Sequence, residues 1–268
     1  EYFIEAKQRW EAVITNDLSD KEALPNNGDW FVGFFDSPKS GAVDDVLIGY
    51  EIVPLDPKTL GQAAPTYARD SGGKFISAVS GIMRFNALAF DNRDTYSIND
   101  IKLIILHEMG HVLGLGTFWG NQCGTGCSFN NFNYGCEKAI NMYKEIFPQQ
   151  QLKLEDGGDG GTKCSHWDEN SFNRPGISEI MTGFFEANTA QPLSKVTVAA
   201  LEDLGGYEVD YTQADDYPLA GLVAGGFAGS IHQNMLRPDH TFEAHATSIL
   251  EPIGLPENSD VPFHSIWK

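Results

Sequence analysis

An α+β fold in two lobes is expected, and three observations predict it. Stretches rich in β-branched and aromatic residues fill the first third of the chain. A strongly apolar, capped helix follows at about residue 97, and a long region rich in Gly, Asn and Cys comes after it. The upper lobe, residues 1–114, would hold a twisted mixed sheet, a backing helix and the apolar helix. The lower lobe, 115–217, would be loop-rich and stapled by disulfides. Residues 218–268 form a C-terminal extension of unassigned role. With 268 residues and 41% apolar content, the chain can bury a substantial core.

Taken in order, "FIEAKQRWEAVI" sets Phe3, Ala6, Trp10 and Val13 at helical spacing, so residues 2–15 read as an amphipathic helix. The stretches at 29–35 ("DWFVGFF") and 44–55 ("DDVLIGYEIVPL") read as strands. Residues 57–74 are punctuated by Gly and Pro and read as loop. Residues 75–86 ("FISAVSGIMRFN") read as another strand, at a sheet edge. Ser97 opens a helix with Asp100 as its capping-box partner, and Gly114 stops it. Between them Ile101, Ile104, Ile105, Met109, Val112 and Leu113 form a broad buried face. Beyond Gly114, a short helix over 136–147 and a capped one over 194–205 interrupt the loops.

The net charge of −19 argues against a nucleic-acid partner, because phosphate contacts need Lys and Arg. Solubility is the plain reading of the acidity; attraction to basic substrates or to calcium is the sharper one. No apolar run approaches the roughly 18 residues that span a bilayer. The opening "EYFIEAKQRW" lacks the basic-then-apolar pattern of a signal peptide and reads as a mature or trimmed start. All four cysteines, Cys123, Cys127, Cys136 and Cys164, fall within one segment of 42 residues. An even, clustered count suggests two disulfides and an oxidising compartment, with three connectivities open. A zinc site built from the same four is the weaker alternative, since only Cys123 and Cys127 form a close pair.

The stretch that carries chemistry is "LHEMGHVLGLGTFW", Leu106 to Trp119. His107 and His111 lie one helical turn apart on one face, so both can offer a ring nitrogen to one zinc ion. Glu108 sits roughly 100° around the helix, outside the metal's ligand set but within reach of a water on the metal. Two histidines and a glutamate would otherwise be costly in so apolar a helix. Gly114, three residues after His111, continues the metzincin pattern, in which the chain turns sharply toward a third ligand. In the compact form of that pattern the third histidine comes six residues after the second, and here that position is Thr117.

Three sources for a third ligand are open. Glu137 lies 26 residues beyond His111 on a predicted second helix, but in "GCEKA", without the Asn-Glu surroundings usual for that arrangement. His232, His240, His245 and His264 lie in the unassigned tail, where single histidines are commonly surface residues. His166, in "CSHWDEN", follows a cysteine that can staple its loop.

The ordered set "HEMGHVLGLGTFW", "SHWDE", "EIMTGFFE" and "LSKVTVAALEDLGGYEVDY" resembles the leishmanolysin family of surface metalloproteases. Upstream, "RWEAVITNDL" and "LGQAAPTYARDSGGKFISAVSGIMRFN" are similar to that family's N-terminal lobe, so the resemblance covers roughly residues 3–217. The family is a metzincin with a long insertion between the helix glycine and the third histidine. The resemblance implies that His107, His111 and His166 bind one catalytic Zn2+, that Glu108 is the general base, and that Met181 is the Met-turn residue beneath the metal. Some other metzincins place a tyrosine two residues after that methionine; here Gly183 stands there.

The resemblance further implies a zinc endopeptidase, secreted or at the cell surface, a monomer acting on protein or peptide substrates, with 1–114 and 115–217 as catalytic lobes. Ser77 to Met83 would be the edge strand that receives an extended peptide, with Ser77, Ala78, Val79, Ser80 and Gly81 along it. Trp167 reads as packing rather than as a wall of the site. "EDGGDGGTK" has a calcium-loop flavour through Asp156 and Asp159 but lacks EF-hand spacing, so a plain loop is preferred. The rival from another class is a non-catalytic adhesion or binding protein on the same zinc-bound scaffold, which would have no need of Glu108.

Overall fold

The computed structural model describes residues 1–24, 28–34, 41–92, 94–124, 131–158, 161–172 and 177–217. The chain folds as a mixed α+β protein around a three-stranded mixed sheet. Helix α1 (Tyr2–Val13) buries Ala6, Trp10 and Val13, as its periodicity predicts. The Trp10 indole N–H donates to the Leu106 carbonyl at 3.1 Å and so ties α1 to the helix that carries the histidine motif.

Strand β1 (Leu47–Val53) lies within the predicted 44–55, but 29–34 is a turn instead of a strand. The reason is local. The Asp29 carboxylate accepts from the Phe31 and Gly33 N–H groups, both at 2.8 Å, and Val32 takes a positive φ of 57°. That side-chain turn outcompetes the β propensity of its aromatic neighbours. Trp30 and Phe31 still reach the interior.

The second departure is larger. Much of the predicted loop at 57–74 is strand β2 (Gly61–Ser71), which forms a hairpin with β3 (Lys74–Asn86) through Gly72-Gly73. The Gly-Gly pair is a hairpin signal, and Pro65 is tolerated because β2 is an edge strand with a register shift just after it. The sheet order is β1-β3-β2, with β1 parallel and β2 antiparallel to β3. β3 is therefore central, not an edge. Arg69 on β2 is buried and spends its guanidinium on backbone carbonyls of Ser19, Asp44, Asp45 and Ala78, pinning the N-terminal loops to the sheet.

Helix α2 (Ala87–Asp91) leads into α3 (Ile98–Leu113). The Ser97–Asp100 capping box forms in full, and Gly114 ends α3 in the left-handed region at φ 110°. The second half carries α4 (Trp119–Gln122), α5 (Glu137–Ile146), α6 (Glu169–Phe172) and α7 (Lys195–Asp203, capped by Ser194) among loops. One apolar cluster runs through α1, β3, α3, α5 and α7. A disulfide joins Cys123 to Cys136. Cys164 is also disulfide-bonded, and Cys127 lies outside the described residues. Among the described residues no helix is long and apolar enough to cross a membrane.

Candidate metal centre

α3 is straight and apolar, so His107 and His111 project side by side from one face. The Nε2 atoms of His107 and His111 are 3.0 Å apart. His166, 55 residues beyond His111, comes back to the same point, its Nε2 lying 3.2 Å from that of His107 and 3.0 Å from that of His111. Each ring is oriented from behind by a backbone carbonyl. His107 Nδ1 faces Ile180 O at 2.5 Å, His111 Nδ1 faces Leu115 O at 2.9 Å, and His166 Nδ1 faces Thr162 O at 3.0 Å. A carbonyl only accepts, so each Nδ1 carries the proton and each Nε2 turns a lone pair toward the common point.

Three lone pairs held this close repel unless a cation lies among them. A tetrahedral zinc with bonds of about 2.0–2.1 Å sets its ligand nitrogens roughly 3.3–3.4 Å apart, close to what is seen. Backing each ligand by a carbonyl is also the usual way a protein fixes imidazole tautomers at a metal. The donor set therefore fits zinc. Among the described residues these three histidines are the one group of three or more ligating side chains close enough to share a metal.

Two glycines make the closure possible. Gly114 turns the chain out of α3. Gly116, at φ 75°, then runs so close to the His166 segment that a Cβ there would stand 2.0 Å from Ser165 O. The interval between His111 and His166 is thus an excursion that starts and ends at one place.

Glu108 is buried, at 2% exposure, beside a small cleft lined by Leu60, Ile104, His107, Thr182, Gly183 and Phe185. Met181 is fully buried under α3, and its sulfur lies 3.0 Å from where a Cβ on Gly110 would be. Its neighbour Ile180 supplies the carbonyl behind His107, so the Met181 segment reaches the cluster through backbone. Trp167 packs, with no exposure: it stacks on Trp119 at 4.2 Å, and its N–H donates to Thr197 Oγ1 at 2.8 Å.

Other candidates lie elsewhere. Glu137 is exposed in the first turn of α5, outside the histidine group. His232, His240, His245 and His264 lie outside the described residues, as does Asp159. Asp156 is exposed. Its neighbour Glu155 faces Glu169 instead: burial and then Glu155 push the Glu169 carboxyl up to about 10, a pair that shares a proton at neutral pH. The peptide-edge expectation for Ser77, Ala78, Val79, Ser80 and Gly81 is overturned. These residues are buried in the central strand, with Ser80 and Gly81 paired to Leu47 and Ile48 of β1 on one side and to β2 on the other. The sheet edge that reaches the cleft is the start of β2, at Leu60 and Gly61.

Sequence reasoning missed Glu179. It is fully buried and accepts from Met181 N at 2.7 Å, Ser194 N at 3.1 Å, Ser194 Oγ at 2.7 Å and Thr197 Oγ1 at 2.6 Å. Burial pushes its carboxyl up, the four donors pull it back, and the result is about 7. Glu179 joins the Met181 turn to the N-terminus of α7, and through Thr197 to Trp167 beside His166. The available signal was a charged residue two before Met181, beside the apolar pair Ile180-Met181.

A family model described as leishmanolysin matches residues 40–231, more than half of the chain. A leishmanolysin-like peptidase of Caenorhabditis elegans and another of Caenorhabditis briggsae are each 32% identical to this chain over 85 residues, 31% of its length. The aligned stretch spans 10% of the length of either relative.

Proposed function

This chain belongs to the leishmanolysin family of peptidases, and on that footing we propose that it is a zinc-dependent endopeptidase with His107, His111 and His166 as ligands and Glu108 as general base. The observation that carries the reading is the meeting of three carbonyl-backed Nε2 atoms within 3.0–3.2 Å, beside a buried glutamate on the same helix. Gly114 marks the division between two catalytic lobes in this reading. The protein acts outside the cell or at its surface, which agrees with its disulfide.

Zinc held by His107, His111 and His166 would supply a Lewis acid able to polarise a carbonyl and to lower the pKa of water to near 7. The remaining work belongs to the chain. An extended peptide lies along the outer side of β2, the last strand of the sheet, and sets one side chain in the cleft walled by Ile104 and Phe185. Glu108, on the turn between the two helical ligands, takes the proton of the attacking water and returns it to the leaving amine. Its burial keeps bulk water from competing for that proton. The Ile180 carbonyl holds the His107 ring in place from behind.

The deciding experiment is cleavage of casein and a peptide library by the zinc-loaded protein, by the chelated protein and by Glu108→Ala. Glu108→Ala should keep its zinc and lose about 10²–10⁴-fold in kcat, the usual share of general acid–base catalysis. Equal inactivity of native protein and variant across many substrates would sink the peptidase reading and leave the zinc-bound binding protein in its place.

A further inference from the structure

We propose that Gly61 is a positioning residue for Glu108: the missing side chain at the first residue of β2 is the slot in which the catalytic carboxylate rests. The inference rests on the assignment of Glu108 as general base and adds the group that sets its place. A Cβ built on Gly61 would lie 2.5 Å from Glu108 Oε1 and 2.9 Å from both Cδ and Cγ. The whole end of the glutamate therefore lies flat against the Gly61 backbone, with no room for a methyl group between them.

The backbone on each side of this contact is held in place. Gly61 pairs with Phe85 on β3, and the Asn86 N–H donates to Leu60 O at 2.9 Å. The Asn86 side chain donates to Asp56 O at 2.9 Å and Thr59 O at 2.8 Å, which fixes the loop leading into β2. Glu108 stands on a rigid helix between two of the three histidines. The first residue of the edge strand is thus also a stop against which the carboxylate rests. A peptide pairing with that edge would lie next to the base by construction.

A second glycine of the sheet separates this role from ordinary tight packing. A Cβ on Gly81 would also be 2.5 Å from a side chain, Val112 Cγ1 on the same helix, and 2.7 Å from Ala64 O. There the obstacles are a branched core side chain and a carbonyl, which cannot swing aside, so the cost falls on folding. At Gly61 the obstacle is the end of a longer side chain, which can rotate away, so the cost falls on the base.

The test compares Gly61→Ala with Gly81→Ala as purified zinc proteins, reading zinc stoichiometry, melting temperature, kcat and KM, with a crystal structure of Gly61→Ala. Gly61→Ala should bind one zinc, melt near the native temperature and lose about 100-fold in kcat with little change in KM, the scale expected of a misplacement of about 1 Å. Its Glu108 carboxylate should be swung off Gly61 in the crystal. Gly81→Ala should show the reverse pattern, a lowered melting temperature with kcat per folded molecule retained. Native kcat in Gly61→Ala, an unmoved Glu108 with β2 displaced instead, or a loss of activity matched by loss of zinc would each overturn the proposal. A native zinc protein without peptidase activity would count against the peptidase reading, while the position of Glu108 in the Gly61→Ala crystal would still decide whether Gly61 seats it.

Discussion

The two halves of the candidate metal centre are built by opposite means. His107 and His111 come from one capped helix, whose own periodicity sets them a turn apart. His166 comes from a stretch, 152–194, whose regular structure among the described residues is one four-residue helix and isolated bridges such as Leu154–Trp167 and Trp167–Thr182. Where the helix has a repeating ladder, this stretch has single backbone bonds, among them Glu155 N to His166 O at 2.9 Å and Trp167 N to Met181 O at 3.0 Å. It also has a fully buried carboxylate, Glu179, that accepts from four donors. A helix can be damaged at one point and keep its register. A stretch held by a few unrepeated contacts cannot, so the same size of change should do more harm on the His166 side.

The sharpest break of this contrast is at the ligand. His166→Ala should cost more than the roughly 100-fold in zinc affinity that follows loss of a group merely supporting a ligand, and activity should fall with it. Glu137→Ala should keep full zinc occupancy, since that side chain is exposed on α5. Zinc content by mass spectrometry of the native-state proteins decides it: a fully loaded His166→Ala protein would remove His166 from the site.

The next effect is in the support. Glu179 has its carboxyl raised from 4.5 to about 7 in the folded protein. Between those values the native state holds a proton that the unfolded chain has lost. The stabilisation from this group is therefore complete below pH 4.5 and is lost as the pH rises toward 7, a fall of about 3 kcal/mol over the window. Glu179→Gln removes the titration. Urea unfolding at steps from pH 4.5 to 7.5 should give native protein the steeper decline, and parallel curves for the two proteins would show that Glu179 does not titrate there.

The contrast also decides what was legible in the sequence. α3 could be read to the residue, because its cap, apolar face, paired histidines and stop are all local signals. The three-stranded sheet was read less well. Asp29 bent a predicted strand into a turn, and β2 hid behind Pro65 and its glycines. Those residues punctuate loops, yet they suit an edge strand closed by a Gly-Gly hairpin. With β2 missed, β3 looked like an edge strand, and it is the central one. Resemblance, not spacing, put His166 forward, since no local pattern links residues 55 apart. Glu179 and Gly61 matter only through contacts between segments, with the Ser194 cap for one and the Glu108 carboxylate for the other, and such contacts leave no period to read.

The smallest effect should appear at the cap of α3. Ser97 accepts from Asp100 N at 3.2 Å, and the Asp100 carboxylate accepts in return from Ser97 N at 2.8 Å and Ser97 Oγ at 2.7 Å. Ser97→Ala removes the hydroxyl and should cost about 1 kcal/mol, the usual loss for a cap. Asp100 keeps its second hold, from Asn188 N at 2.9 Å, so the helix start stays docked on the opposite half. His107 lies more than two turns further on, inside a ladder that Ser97 does not touch. Thermal unfolding should show a modest loss, with zinc affinity and kcat unchanged. A measurable fall in zinc affinity for Ser97→Ala would mean that α3 does not hold its ligands by its own register, and the contrast between the two halves would fail.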